Sequence, residues 1–310
     1  MSASSSNHNP LRKVLLATDL SARGDRALER AMAIAMDRQA HLTVLHAFEE
    51  INDSNLTYGV NRAPSWRAPP DAGQLAKSRI REGLRAELGD AVEQATILIE
   101  EGEPAEVIER AVSSLGIDLI VTGIAREGPF ASRPVVLGRT VERLLRRVAV
   151  PILIVRNRPR AAYGGILVTT DFSKPSANAL QVAMSFFPHQ TLHVLHAFQL
   201  PGPGVLTDMR HQVESFRQTH AMELAEFLHS MVLPADARRR LVTLVEHGHP
   251  AQLVREYVCD KGADLVVLGT HGRGAMLEAL VGSTAKSILS SLPCDALVVR
   301  APPARAPRGP

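Results

Sequence analysis

The residues with the clearest chemical potential lie in "LGTHGRGAMLEALVGSTAKSIL", 268–289, where glycines stand at 269, 272, 274 and 282 and Ser283 and Thr284 follow the last. Glycine forfeits more backbone entropy on ordering than other residues, so such a run before an apolar helix calls for an offsetting interaction. Backbone N–H groups that turn inward past a missing Cβ, joined by the unpaired donors of a helix start, suit phosphate oxygens. Three charge-assisted hydrogen bonds contribute roughly 5–9 kcal/mol, against a loss of freedom on association of roughly 4–15 kcal/mol. Useful affinity therefore needs a base pocket too, and Asp171 and the backbone at Ala197 are placed to supply one. Each element also has a plain structural reading. Asp171 or Ser173 can cap a helix that has Pro175 in its first turn, the glycines can form a tight turn, and Arg273 and Lys286 can be solvated cations. The co-location favours a ligand.

The elements that hold these residues occur twice. "KVLLATDLS" at 13–21 returns as "GILVTTDFS" at 165–173, and "HLTVLHAF" at 41–48 as "TLHVLHAF" at 191–198. "EEGEPAEVI" at 100–108 returns as "EHGHPAQLV" at 246–254, "IDLIVTG" at 117–123 as "ADLVVLG" at 263–269, and "PILIVR" at 151–156 as "DALVVR" at 295–300. A period near 150 residues is too long for a solenoid and indicates a duplicated domain, joined through "NRPRAA" at 157–162. Within each copy, short apolar runs alternate with segments of helical periodicity such as "ARGDRALERAMAIAMDR" and "KPSANALQVAMSFF". Strands such as "DLIVTG" and "DLVVLG" lack polar alternation, as parallel strands covered on both faces do.

The predicted fold is therefore α/β, with two tandem open parallel five-stranded sandwiches. In a sheet ordered 3-2-1-4-5 the ligand crevice lies beyond the carboxyl ends of the first and fourth strands. The terminal apolar strands, 152–155 and 296–299, would be bare edges and aggregation liabilities if left unpaired. The stretch 49–73, rich in Pro, Gly and Asn, reads as a loop insertion, and the tail 301–310 as disordered.

A chain of 310 residues, 45% hydrophobic and 22% charged, is long enough for two cores. A net charge of +3, with arginine spread along the chain, marks neither a nucleic-acid face nor a polybasic membrane patch. Neither partner is expected. No run approaches the ~18 apolar residues of a membrane span, and the polar start "MSASSSNHNPLRK" lacks the apolar segment of a signal peptide. A cytoplasmic protein is expected. Cys259 and Cys294 form no CxxC pair and are read as two small buried side chains in a reducing compartment.

Gly269-x2-Gly272-x9-Gly282-Ser283, after a strand and coupled to an Asp after the first strand of the same domain, resembles the nucleotide-binding pattern of the universal stress protein family. The resemblance covers nearly the whole chain as two domains, 10–156 and 163–301, and implies an adenine-nucleotide alpha-hydrolase-like fold with ATP, accompanied by Mg²⁺, as ligand. It places the adenosine on Asp171 and Ala197, and the phosphates on Gly269, Gly272, Gly282, Ser283 and Thr284. It also implies that the terminal strands pair antiparallel across a two-fold axis, giving a pseudo-dimer within the chain that is able to dimerise further.

The first copy departs from this pattern. It keeps Asp19, Ala47, Gly123, Gly138 and Thr140, but the interval from Gly123 to Gly138 is two residues longer, holds Pro129 and Pro134, and has Arg139 where Ser283 stands. Taking Gly128 as the loop glycine restores nine residues before Gly138 but makes the first spacing four. This copy is expected to be a weaker second site.

Catalytic signatures are sparse. The chain has no GxxxxGK[ST] loop, and "GRGAML" lacks the third glycine of GxGxxG. "HGHP" at 247–250 follows the third strand, where a nucleotidyl-transfer motif would follow the first. His247 and His249 lack an evident acidic or Cys partner for a metal, and His46 and His196 read as structural. No catalytic or metal residue is assigned. The leading expectation is an ATP-binding stress-response module. The alternatives are a slow ATP hydrolase or nucleotide-transfer enzyme, and a ligand-free dimerising scaffold.

Overall fold

The structure, a computed structural model, describes residues 11–20, 24–48, 95–124, 137–200, 209–233, 235–270 and 281–300, together with the single residues 78, 82 and 85. The expected insertion at 49–73, Gly128, Gly272, Gly274, Arg273 and the tail lie outside the described residues.

The first half runs β1 (Lys13–Ala17), α1 (Gly24–Arg38), β2 (His41–Phe48), β3 (Ala95–Glu101), α2 (Pro104–Leu115), β4 (Leu119–Gly123), α3 (Arg139–Arg147) and β5 (Ile152–Val155). The second runs β6 (Ile166–Thr170), α4 (Lys174–Phe186), β7 (Leu192–Phe198), α5 (Met209–Ser230) and α6 (Ala235–Arg239). It continues with β8 (Leu241–His247), α7 (Pro250–Lys261), β9 (Leu265–Gly269), α8 (Ser283–Ser291) and β10 (Asp295–Val299).

All these strands join one sheet in the order β3-β2-β1-β4-β5-β10-β9-β6-β7-β8. Pairing is parallel within each half, and the halves meet at an antiparallel seam where Ile152 faces Val298, Leu153 faces Leu297 and Ile154 faces Ala296. The seam removes two of the four edges that separate sheets would expose.

The period of two along each strand divides the apolar residues into layers. Leu16, Val44, Val168 and Leu297 face one layer, under α1 and α4, and this core runs unbroken across both halves. Leu15, Leu45, Val266 and Ala296 face the other, under α2, α3, α7 and α8. Central strands such as β4 and β9 are buried on both faces, which explains their uninterrupted apolar runs.

Helix boundaries follow local chemistry. Glu103 caps α2 by accepting from the Glu106 N–H at 3.1 Å, Pro104 opens the helix, and Gly116 ends it in the left-handed region at φ 64°. Ser173 caps α4 in the same way, with Pro175 in the first turn.

A buried polar clamp fastens the halves beside the seam. Asp295, 1% exposed, accepts at Oδ1 from the Arg156 and Asn157 N–H groups at 2.8 and 3.0 Å. Its Oδ2 accepts from the Tyr163 hydroxyl at 2.6 Å and lies 3.6 Å from Arg30 Nε of α1. The Arg30 guanidinium stacks 3.9 Å from the centre of the Tyr163 ring.

One expectation fails here. Cys294 is buried, but Cys259 is exposed. Helix α7 buries Ala251, Val254 and Val258, and one step beyond Val258 turns a residue by ~100°, away from that stripe.

Candidate functional site

Both halves open the carboxyl end of the sheet with the same strained turn. The Leu20 N–H donates to Thr18 Oγ1 at 3.0 Å, and the Phe172 N–H donates to Thr170 Oγ1 at 3.1 Å. Leu20 and Phe172 have φ values of 57° and 65°, in the left-handed region that costs a non-glycine residue ~1–2 kcal/mol. His46 Nδ1 lies 2.9 Å from the Thr18 carbonyl oxygen, and His196 Nδ1 lies 2.9 Å from that of Thr170. A carbonyl only accepts, so each Nδ1 carries the proton and braces the turn. These turns carry Asp19 and Asp171.

Asp171 does not cap α4 directly. Its Oδ1 accepts from the Ser173 N–H at 3.1 Å and from Ser173 Oγ, and Ser173 then caps the helix. The carboxylate is thus held in a fixed orientation at the crevice between β6 and β9. Their ladder is paired only as far as Val168 and Val267, beyond which the strand ends diverge.

In the first half the crevice contains a cavity of about 150 Å³. Asp19 and Ala47 border one side, and Gly123, Gly138 and Thr140 border the other. Arg139 stands between two of these bordering residues and is exposed. The cavity thus brings together Asp19, Ala47, Gly123, Gly138 and Thr140 of the weaker site read from the sequence, while Arg139 is not among its lining residues.

In the second half Asp171, Ala197, Gly269, Gly282, Ser283 and Thr284 occupy the corresponding ends of β6, β7, β9 and α8, while Gly272 lies outside the described residues. A Cβ on Gly269 would lie 2.9 Å from the Pro175 carbonyl carbon and 3.1 Å from its oxygen, so this glycine lets α4 start directly against the end of β9. The Gly282 N–H donates to the Thr270 oxygen at 2.8 Å, and so it is already spent. The Lys286 N–H bonds Gly282 O at 3.0 Å as the first turn of α8, which leaves the Ser283, Thr284 and Ala285 N–H groups without intrahelical partners.

The first half starts α3 in the same way, with the Glu142 N–H bonding Gly138 O at 3.0 Å. Gly138 (φ −64°, ψ 149°) and Gly282 (φ −58°, ψ 150°) share an extended conformation open to any residue. Glycine is therefore not required there for conformation, and its distinctive property is the space it leaves.

Sequence reasoning missed the other walls of the cavity. Pro104 and Ile108 at the start of α2 border it, as does Gly24, where a Cβ would lie 2.7 Å from Thr18 Oγ1. The matched "GEP" and "GHP" were the available signal. Gly102 and Gly248 adopt φ values of 138° and 147° and aim the following helices at the crevice. Among the described residues no three His, Cys, Asp or Glu side chains gather as a metal site, and no helix is long and apolar enough to cross a membrane.

The family model described as the Universal stress protein family matches residues 10–156 and 162–300. Universal stress protein E of Salmonella typhi is 24% identical over 272 residues, covering 83% of this chain and 84% of the relative. A universal stress protein of Mycolicibacterium smegmatis is 27% identical over 308 residues, covering 93% and 96%. A universal stress protein structure from Archaeoglobus fulgidus matches with a TM-score of 0.62 at 19% identity, over 94% of this chain and 98% of that one. A functionally unknown protein from Pseudomonas aeruginosa matches with a TM-score of 0.61 at 20% identity, over 94% and 93%. Two family matches laid end to end, on a sheet whose halves repeat the same Asp-bearing turn and glycine-started helix, place the chain in the universal stress protein family.

Proposed function

We propose that this chain is an ATP-binding regulatory module of the cytoplasmic stress response, with its strong nucleotide site in a second domain, 163–301, and a degenerate site in a first, 10–156. The observation that carries this reading is the crevice where strand order reverses. Each half brings a braced carboxylate turn and a glycine-started helix to the ends of neighbouring parallel strands, and the first half has a cavity between them. Asp171 and the Ala197 backbone would take the adenosine. Gly269 and Gly272 would give the phosphates room, and the α8 start, with Gly282, Ser283 and Thr284, would supply donors. Mg²⁺ enters as the counter-ion of the triphosphate.

In this reading the site would position phosphates without an assigned general base, so hydrolysis is slow, with turnover well below the ~1–10³ s⁻¹ of ordinary enzymes. Mass spectrometry of the small molecules released from purified, denatured protein tests the proposal. ATP or ADP in near-stoichiometric amount is expected. An empty protein that also fails to bind added ATP would favour the ligand-free scaffold, and rapid multiple turnover would favour a hydrolase.

A further inference from the structure

Each half ends its last strand in an arginine that reaches into the other half. Arg156 follows β5 and Arg300 follows β10, and the two are counterparts in the internal repeat. The Arg156 carbonyl accepts from Arg26 Nη1 at 2.7 Å, and the Arg300 carbonyl accepts from Asn178 Nδ2 at 2.6 Å. Arg26 and Asn178 are counterparts too. Each lies in the opening turns of the helix that follows the Asp-bearing turn of its own half, α1 or α4. The guanidinium groups cross the seam. Arg156 Nη1 donates to the Leu292 carbonyl, where α8 ends, and Arg300 Nη1 donates to the Arg146 carbonyl in the last turn of α3. A guanidinium at such a place satisfies a carbonyl that has no intrahelical donor and complements the negative end of the helix.

The result is a crossed pair of links. Helix α8 begins at the second crevice and ends on Arg156, whose own carbonyl is tied to α1, and the first residue of α1, Gly24, borders the first cavity. Helix α4 begins beside the Asp171 turn of the second crevice and holds the Arg300 carbonyl. The Arg300 guanidinium holds the end of α3, whose start borders the first cavity at Gly138 and Thr140. Asp295 stiffens the first link. Its Oδ1 accepts from the Arg156 N–H at 2.8 Å, and Arg30, one turn beyond Arg26 in α1, lies 3.6 Å from its Oδ2. Because α3 and α8 are nine-residue helices, a shift at the start of either is carried to its end about 13 Å away. Each helix at one crevice thus reaches a helix at the other through a single residue.

From these two links we infer that the crevices are coupled. A ligand held by the starts of α4 and α8 in the second crevice acts on α1 and α3 of the first, through Arg156 and Arg300. The inference rests on the proposed nucleotide role of the second crevice and adds to it a route of regulation. Coupling of this kind is a free energy shared by two sites, so occupation of the first crevice acts back on the second. The route has a signature of its own, because Arg156 connects α8 to α1 while Arg300 connects α4 to α3. Bonds that only fastened the halves together would show no dependence on a ligand in the second crevice.

The test is hydrogen exchange, read by mass spectrometry, on the full chain carrying Gly138→Val, so that ATP has only the second crevice to enter. Saturating ATP should slow exchange at the Leu28–Arg30 amides of α1 and the Arg146–Val148 amides at the end of α3 by about fivefold or more. Adding Gly282→Val should abolish both effects. Arg156→Met, which keeps the apolar stem and removes the guanidinium, should erase the α1 response alone, as should Arg26→Met, which cuts the same link from its other end. Arg300→Met and Asn178→Ala should each erase the α3 response alone. Arg158→Met, which removes an exposed arginine paired with Glu29 of the same half, should erase neither. ATP binding without a response in α1 and α3 overturns the inference and leaves the proposed function standing. So does a response that survives all four cuts, or one lost equally with Arg158→Met. If the Gly138→Val chain takes up no ATP, the proposed second site falls and the inference with it. Circular dichroism checks the folding of each variant, and a link whose one cut unfolds the chain is read from the cut at its other end.

Discussion

Leu153 and Leu297 face each other across the antiparallel seam and are counterparts in the internal repeat, so the pseudo-two-fold axis of the molecule passes through this pair. On either side Ile152 meets Val298 and Ile154 meets Ala296, an exchange that the axis requires. Both leucines are almost fully buried and face the apolar layer shared by both halves. Leu153→Ala and Leu297→Ala should therefore each cost about 2–5 kcal/mol, by similar amounts, within a single urea transition. Two separated transitions in the unaltered chain would show that the halves fold independently across the seam.

The Asp295 clamp makes a second prediction. Removing the carboxylate with Asp295→Ala leaves Arg30 and the Tyr163 hydroxyl buried without their partner, which should destabilise the chain by about 3–5 kcal/mol. Burial raises the Tyr163 phenol well above 10, and the neighbouring Asp295 adds to the shift. Burial also raises the Cys294 thiol to about 12. Both groups are neutral acids with folded pKa values above their unfolded ones. Their stabilisation is complete below ~9 for the thiol and ~10 for the phenol, and it is lost as pH rises through the folded values. Unfolding free energy should fall from about pH 9 upward, and Tyr163→Phe should flatten the part that begins near 10. An unchanged alkaline slope in Tyr163→Phe would remove Tyr163 from this account.

Much of this architecture was legible in the sequence because it is written twice. Paired runs such as "HLTVLHAF" and "TLHVLHAF" marked the strands, and the unbroken apolar runs marked parallel strands buried on both faces. The seam followed from the cost of a bare apolar edge together with the family resemblance. The clamp was not legible, because Asp295 stands where the first copy has Pro151 and a repeat comparison conceals what is unique to one copy. Of the two caps the sequence offered, Asp171 and Ser173, the structure uses Ser173, and Asp171 holds Ser173 in place. Exposure of Cys259 depends on a ~100° step around α7, which composition does not register.

Gly269 separates a packing role from a ligand role. Its missing Cβ admits the backbone of Pro175 and Ser176 to within 2.9–3.1 Å of where that atom would lie, and backbone cannot swing aside as a flexible side chain can. Gly269→Ala should destabilise the protein by about 1–3 kcal/mol even with no nucleotide present, as measured by denaturant unfolding. It should also weaken ATP binding, since α4 and the Asp171 turn must shift together. Unaltered stability with weakened binding would assign Gly269 to the ligand alone.

The two glycine-started helices allow the asymmetry of the crevices to be tested directly. Gly138 and Gly282 have nearly the same φ and ψ, both open to a β-branched residue, so valine at either position tests the space beside the helix start with little backbone strain. In the second half the neighbouring residues are the small Ser283 and Thr284, whose N–H groups have no intrahelical partners. In the first, the bulkier Arg139 stands at the position of Ser283, and Pro129 and Pro134 bring no N–H donors. Calorimetric titration of the unaltered chain should give one strong ATP site, abolished by Gly282→Val through steric block and little changed by Gly138→Val. Two equal ATP sites would give both halves the triphosphate role, and loss of the strong site on changing Gly138 alone would transfer it to the first half.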